Sequence, residues 1–220
     1  MDARRFETHN ERRYSTGEEI ANAVTHGTGA LLSVAALVLL VLSAALRGDA
    51  LTVAAYAVFG SSLVLLFTMS TIYHALRAPR AKRVFEVLDH SSIYVLIAGT
   101  YSAFCATALR GRAGLLLIIL CWTFAAAGIT FKAFFIDRYR LLATLGYVVM
   151  GWLIAPFLGQ VRSSVPAGAF ALLAAGGAAY TLGAALYSLK RVPWFHAVWH
   201  LFVLAGAACH VASALIIVGA

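Results

Sequence analysis

Apolar residues run through this chain in seven long blocks, each near the roughly 20 residues that a helix needs to cross a bilayer. The blocks cover residues 22–46, 51–76, 85–109, 114–134, 141–160, 165–189 and 195–219. The polar stretches between them are short, and no stretch alternates in the manner of a β-barrel strand. The pattern predicts an all-α integral membrane protein. A seven-transmembrane helix bundle occupies residues 22–220, and a cytoplasmic N-terminal tail occupies residues 1–21. Within the tail, residues 1–17 read as a flexible arm or a surface-lying helix, with His9 solvated. The first block is longer than the roughly 7–15 residues of a signal-peptide core, so it is read as a retained span. Pro156, between Gly151 and Gly159, predicts a kink in the fifth block. Gly176, Gly177 and Gly183 predict close helix packing in the sixth.

Composition agrees, with 62% hydrophobic and 12% charged residues, far from a soluble domain. A net charge of +8 would suggest nucleic acid if it were spread over one surface. It is distributed otherwise. Arg4, Arg5, Arg12 and Arg13 precede the first block, and Arg77, Arg80, Lys82 and Arg83 follow the second. Lys132, in the last turn of the fourth block, counts with Arg138 and Arg140 toward the connection that follows it, and Lys190 and Arg191 follow the sixth. These alternate segments hold thirteen of the 17 basic residues, which places the N-terminus in the cytoplasm and the C-terminus outside. The charge is thus a topology signal, and the expected partners are membrane lipids rather than nucleic acid. The Ala- and Arg-rich composition suggests a multi-pass protein of a bacterial inner (plasma) membrane. Trp194 and Trp199, at the start of the last block, read as interfacial anchors.

That topology brings a set of polar residues to one depth. Ser70 and His74 are spaced i,i+4 near the cytoplasmic end of the second block, and His196 and His200 share that spacing in the seventh. Asp89 lies about one turn into the third block, and His26 is similarly shallow in the first. All six fall within about 10 Å of depth, although arginines and lysines alone set the topology. Ionisable groups inside hydrocarbon are costly and mark functional sites. Three histidines with a carboxylate nearby are what a zinc site with an open coordination position needs, so His74, His196 and His200 are the candidate ligands. Glu19, Asn22 and His26 form one stripe on the first helix and are expected to support the ligands from behind. His90 and His210 are weaker candidates, and His210 reads as a core histidine paired by hydrogen bonding. Cys105, Cys121 and Cys209 lack ligand spacing and read as small core hydrophobes.

These motifs, in this order, resemble the progestin and adipoQ receptor family, and within it the bacterial hemolysin III branch. The resemblance covers nearly the whole chain. It includes Glu19-x2-Asn22-x3-His26, Ser70-x3-His74, Asp89-His-Ser-Ser-Ile-Tyr94, Ala-Gly99-Thr100-Tyr101 and His196-x3-His200-Leu-Phe-Val-Leu-Ala-Gly206, and ends with Cys209-His210. It implies seven helices with a cytoplasmic N-terminus, and zinc held by His74, His196 and His200. It also implies that Ser70 and Asp89 stand beside the metal, with the aspartate reaching it through water. The chain departs from the adiponectin receptors at His90, where they carry tyrosine, and it lacks their long N-terminal region. Hormone binding is therefore not carried over.

Such a site suits hydrolysis of an amide or ester. The metal or Ser70 would polarise the carbonyl and Asp89 would take a proton, which makes these two residues the catalytic candidates. A site just below the membrane surface is open to an acyl-lipid substrate arriving sideways. The wider superfamily includes alkaline ceramidases, so the resemblance implies amidase chemistry as one possibility. The alternative is a non-enzymatic sensor or regulator of membrane lipid state with a structural zinc closed by a fourth protein ligand. A transporter fits less well, because the outer half of the spans carries no charged relay. A cytolysin is suggested by the family name alone.

Overall fold

The computed structural model describes residues 14–135, 139–188 and 192–220, and these are helical with short connections. The tail residues 1–13, including His9 and the four N-terminal arginines, lie outside the described residues, as do Arg138, Lys190 and Arg191. The first helix, α1, runs Thr16–Arg47 and begins ahead of the first apolar block. Its start is set by a capping box: the Glu18 N–H donates to Ser15 Oγ (3.2 Å), and the Ser15 N–H donates to Glu18 Oε2 (2.9 Å). Helices α2 (Ala50–Ala75), α3 (Pro79–Thr107) and α4 (Arg112–Phe135) follow. At the start of α2 the Asp49 carboxylate caps the Thr52 N–H (2.9 Å) and takes two bonds from Arg110 (2.8 and 3.1 Å). The Arg110 guanidinium holds this carboxyl well below the usual carboxylate range. The pair ties the α1–α2 turn to the far end of α3.

Six of the described helical segments are long and apolar enough to cross a membrane. The molecule is a multi-pass membrane protein by this measure. Its outer face is apolar, with Leu31, Leu32 and Leu46 on α1 and Leu115, Leu116 and Ile119 on α4 all exposed. Its polar residues point inward instead. α3 is 29 residues long and is the most inward-facing helix, burying Asp89, Ser91, Ser92 and Ser102 along with its apolar residues. Its lower hydropathy reflects that central place. Chain neighbours pack as spatial neighbours from α1 to α4, and the last helix, α8 (Phe195–Gly219), returns to lie against both α1 and α7 (Ala167–Ser188). The helices surround an interior space. Cys105 and Cys121 are buried and Cys209 is partly buried, all as free thiols.

The fifth apolar block breaks where Pro156 predicts it. α5 (Arg140–Gly151) gives way to a 3-10 segment, Trp152–Phe157, before α6 (Leu158–Ser164). Proline supplies no N–H and its ring crowds the carbonyl four residues back, so backbone groups around it lose their helical partners. Inside a membrane such groups need another partner. Tyr101 of α3 provides one. Its hydroxyl donates to the Gly151 carbonyl (2.9 Å) and accepts from the Ile154 N–H (2.8 Å). Tyr101→Phe keeps the ring and strands both groups, so a loss of about 1–3 kcal/mol is expected. Chemical or thermal unfolding in detergent would measure it, and unchanged stability would show that the break is satisfied some other way.

Candidate metal centre

Three helices meet at the end of the bundle opposite the Asp49–Arg110 pair. α2 ends there with Ser70 and His74, α8 begins there with His196 and His200, and α1 lays its Glu19, Asn22, Thr25 and His26 stripe between them. Trp194, in the left-handed region at φ 67°, starts α8, and its N–H donates to Glu18 Oε1 (2.8 Å). Glu18, the partner of Ser15 in the capping box of α1, therefore also fixes the entry of α8. Trp194 is exposed, as an interfacial residue should be. Trp199 instead turns inward and packs its ring against Gly183 of α7, where a Cβ would come within 2.8 Å of it.

His74, His196 and His200 are all buried, and each presents a ring nitrogen within 4.8 Å of the other two. His74 Nε2 and His196 Nε2 are 3.2 Å apart. Two nitrogens that each bond a tetrahedral zinc at about 2.0–2.1 Å stand about 3.3 Å from one another, so the spacing suits a cation between them. The outer nitrogens support the same reading. His74 Nδ1 lies 2.6 Å from Glu19 Oε2. A carboxylate only accepts, so Nδ1 carries the proton and Nε2 keeps its lone pair for the metal side. His200 Nδ1 is 3.3 Å from Thr25 Oγ1. That hydroxyl already donates its hydrogen to the Ala21 and Asn22 carbonyls (2.8 and 3.0 Å), so it accepts from Nδ1–H and again leaves Nε2 open. No carboxylate joins the ligand-spaced group among the described residues. The donor set is three neutral imidazoles, which fits zinc with a coordination position to spare.

The Glu19, Asn22 and His26 stripe meets the histidine group residue by residue. Glu19 grips His74 with one oxygen and Lys82 with the other (2.8 Å). Lys82 also donates to the Tyr73 and Leu76 carbonyls at the C-terminal end of α2 (3.1 and 3.3 Å). Asn22 Nδ2 stands 3.5 Å from His74 Nδ1, a marginal contact. His26 meets the group by its ring face: it stacks on His200 with centroids 3.5 Å apart and planes 12° off parallel. The hydrogen bonds of Thr25 and Lys82 are absent from the sequence-based candidates. Thr25 is i,i+3 from Asn22 and so lies within reach of the stripe pattern, whereas Lys82 carries only a topology signal in the sequence. Glu19→Gln keeps the shape but weakens the hold on the Nδ1 proton. The expected result is a 10–100-fold loss of metal affinity, read from competition with a chelator of known strength, against unchanged affinity if Glu19 serves only to cap the helix.

Ser70 and Asp89 stand beside the histidines, in the wall of an elongated cavity of about 270 Å³ that His26, His196 and His200 also line. Ser70 Oγ is buried next to Asp89, near enough for its hydroxyl to act on that carboxylate. Lys132, counted by sequence among the connecting residues, is buried in α4, near enough for its charge to act on Asp89. His90 turns away from the histidine group: its Nδ1 meets the Glu86 carbonyl (2.8 Å) and its Nε2 meets the Tyr187 hydroxyl (3.1 Å). His210 lies deep in the bundle, with Nε2 3.2 Å from the Leu173 carbonyl, as expected of a paired core histidine. From Asp89 the cavity follows α3 to Leu109, a run of about 30 Å. Ile93, Leu96, Ile97, Phe104, Leu173 and Val203 make its wall largely apolar.

The family model described as "Haemolysin-III related" matches residues 14–211. Hemolysin-3 of Bacillus cereus is 46% identical over 191 residues, covering 87% of each chain. The Hemolysin-3 homolog of Bacillus subtilis (strain 168) is 44% identical over 195 residues, covering 89% of this chain and 92% of its own. The monocyte to macrophage differentiation factor of Homo sapiens is 29% identical over 199 residues, covering 88% of this chain and 81% of its own. No solved structure matches the chain. The match runs from Tyr14, just ahead of the α1 cap, to within the last helix, past both histidines that α8 brings to the cluster, and so the chain belongs to the haemolysin-III related family.

Proposed function

We propose that this protein is a zinc-dependent hydrolase of acyl lipids, cleaving an amide or ester at the cytoplasmic side of a bacterial inner membrane. In this reading α3 also crosses the membrane and brings the spans to seven, the N-terminus is cytoplasmic and the C-terminus is outside. One observation carries the proposal: a three-histidine group that no carboxylate joins among the described residues opens onto an apolar cavity long enough for an acyl chain. The cavity's run of about 30 Å is the thickness of a whole hydrocarbon core, and a single chain needs about half of it.

His74, His196 and His200 would hold the zinc, and a zinc ion bound there supplies a Lewis acid that polarises the acyl carbonyl and activates water. The apolar walls hold the acyl chain and keep bulk water from the reacting bond. Ser70 Oγ, buried beside Asp89, would donate its hydrogen to the carbonyl oxygen. Asp89 takes a proton from the attacking water and returns it to the leaving nitrogen or oxygen as the C–N or C–O bond breaks. The products are a fatty acid and a free amine or alcohol.

The test is release of fatty acid from a panel of ceramides and acyl glycerolipids by the protein in nanodiscs, with and without prior metal stripping. Release that disappears on stripping and returns with zinc is expected. Equal release before and after stripping, or none from any lipid, would end the hydrolase reading and favour a lipid-state sensor with a structural metal. Labelling of single cysteines added at the two termini checks the topology. A cytoplasmic C-terminus would overturn the seven-span arrangement.

A further inference from the structure

Deep in the cavity, well away from the histidine cluster, α7 and α8 build a second polar spot. Gly176-x3-Tyr180 on α7 faces Gly206-x3-His210 on α8 in a reciprocal arrangement. A Cβ at Gly176 would lie 2.3 Å from the His210 ring, and one at Gly206 would lie 2.9 Å from the Tyr180 ring. Each helix thus gives up a side chain to seat the other's ring, and the two rings meet edge to face with centroids 5.3 Å apart. Both residues line the cavity. Each leaves one polar atom unused. The Tyr180 hydroxyl and His210 Nδ1 are buried without a hydrogen-bond partner among the described residues. His210 Nε2 faces the Leu173 carbonyl at 3.2 Å. A carbonyl only accepts, so Nε2 carries the proton and Nδ1 is a bare acceptor.

An acceptor beside a phenol, which both donates and accepts, is the complement of an alcohol. One hydroxyl can donate to Nδ1 and accept from Tyr180. A carboxylate or phosphate does not fit, because Nδ1 would face another acceptor and no lysine or arginine lines the cavity. A lone water would find only these two partners, fewer than the three that buried waters usually hold. The ten residues from His200 to His210 put this spot about 15 Å from the metal ligands along α8, near the depth at which one leaflet's chains end. We infer that Tyr180 and His210 form a hydroxyl-recognition site, and that the lipid bound here carries an alcohol far out along its acyl chain. The inference rests on the acyl-lipid reading above and narrows it to a substrate class.

The experiment compares three fatty acids by calorimetric titration into metal-loaded protein in nanodiscs. They are stearate, hydroxystearate with the hydroxyl on the twelfth carbon, and hydroxystearate with the hydroxyl on the second. The far-hydroxyl acid should bind about tenfold more tightly than stearate, the gain expected of hydrogen bonds that fill otherwise unsatisfied buried groups. The near-hydroxyl acid should not share that gain. Tyr180→Phe, and Tyr180→Phe with His210→Phe, should bring the far-hydroxyl acid and stearate together. Melting temperature and metal content report whether each variant is folded. Tyr180→Phe removes a single oxygen, so it decides the matter if the double variant is lost. Equal affinities in the unaltered protein, or a preference that survives Tyr180→Phe at full strength, would overturn the hydroxyl site and leave the acyl-lipid reading standing. Failure of all three acids to bind would overturn both.

Discussion

Alanine in place of His74, His196 or His200 is expected to strip the metal from the protein and lower its melting temperature. Each substitution removes one of three nitrogens from a buried group in which every ligand lies within 4.8 Å of the others. Two imidazoles hold zinc far less tightly than three, and the three histidines come from α2 and α8, so an ion held there would clasp helices that are distant in the chain. A metal present at a thousandfold its Kd stabilises the folded state by about 4 kcal/mol, and that contribution goes when the site is broken. Elemental analysis should show about one zinc per chain in the unaltered protein and about a tenth of that or less in each variant. A chelator should lower the melting temperature of the unaltered protein toward that of the variants, which should not respond. His90→Ala and His210→Ala should keep their metal, since their rings bond to the Glu86 and Leu173 carbonyls instead. Full occupancy in all three ligand variants, or no first-row metal in the unaltered protein, would refute the assignment.

Much of this arrangement is written in one-dimensional features. Block length and the charge pattern locate helix ends, and helix ends set depth. Depth is enough to bring Ser70, His74, Asp89, His196, His200 and His26 to one end of the bundle, where the structure indeed gathers them. Rotation about each helix axis is a different matter. Whether Lys82 reaches Glu19, or Thr25 reaches His200, depends on how α1 is turned against α2 and α8, and packing of all the helices decides that turn. Lys132 shows the limit of reading charge as topology: the same residue that counts toward the positive side is buried in α4 near Asp89. Pro156 announces a break, but nothing local to the proline points to Tyr101, whose place in the chain is 53 residues before Ile154. Polar satisfaction across a membrane bundle is a long-range property. It becomes visible only when the orphaned backbone and side-chain groups are counted in three dimensions.

Separating ligand from catalyst at this site depends on Asp89. Asp89→Asn is expected to keep the metal and the fold while losing turnover. The side chain lies in the cavity wall beside Ser70, outside the ligand-spaced histidine group, so its charge is not required to retain zinc. Asparagine matches aspartate in size and can still orient a water, but its amide cannot take the proton that hydrolysis releases at neutral pH. Loss of a positioned general base costs typically 10²–10⁴-fold, so fatty-acid release should fall by about that factor, with metal content and melting temperature near those of the unaltered protein. Ser70→Ala should also slow release without loss of metal, since it removes a donor to the carbonyl oxygen and leaves all three imidazoles in place. The two variants together distinguish the roles. If Asp89→Asn lost its zinc as the histidine variants do, Asp89 would be a ligand, the coordination sphere would be closed by protein, and the metal would be structural. If it kept both zinc and turnover, the proton would go elsewhere, and the base would have to be sought among the other polar groups that face the cavity.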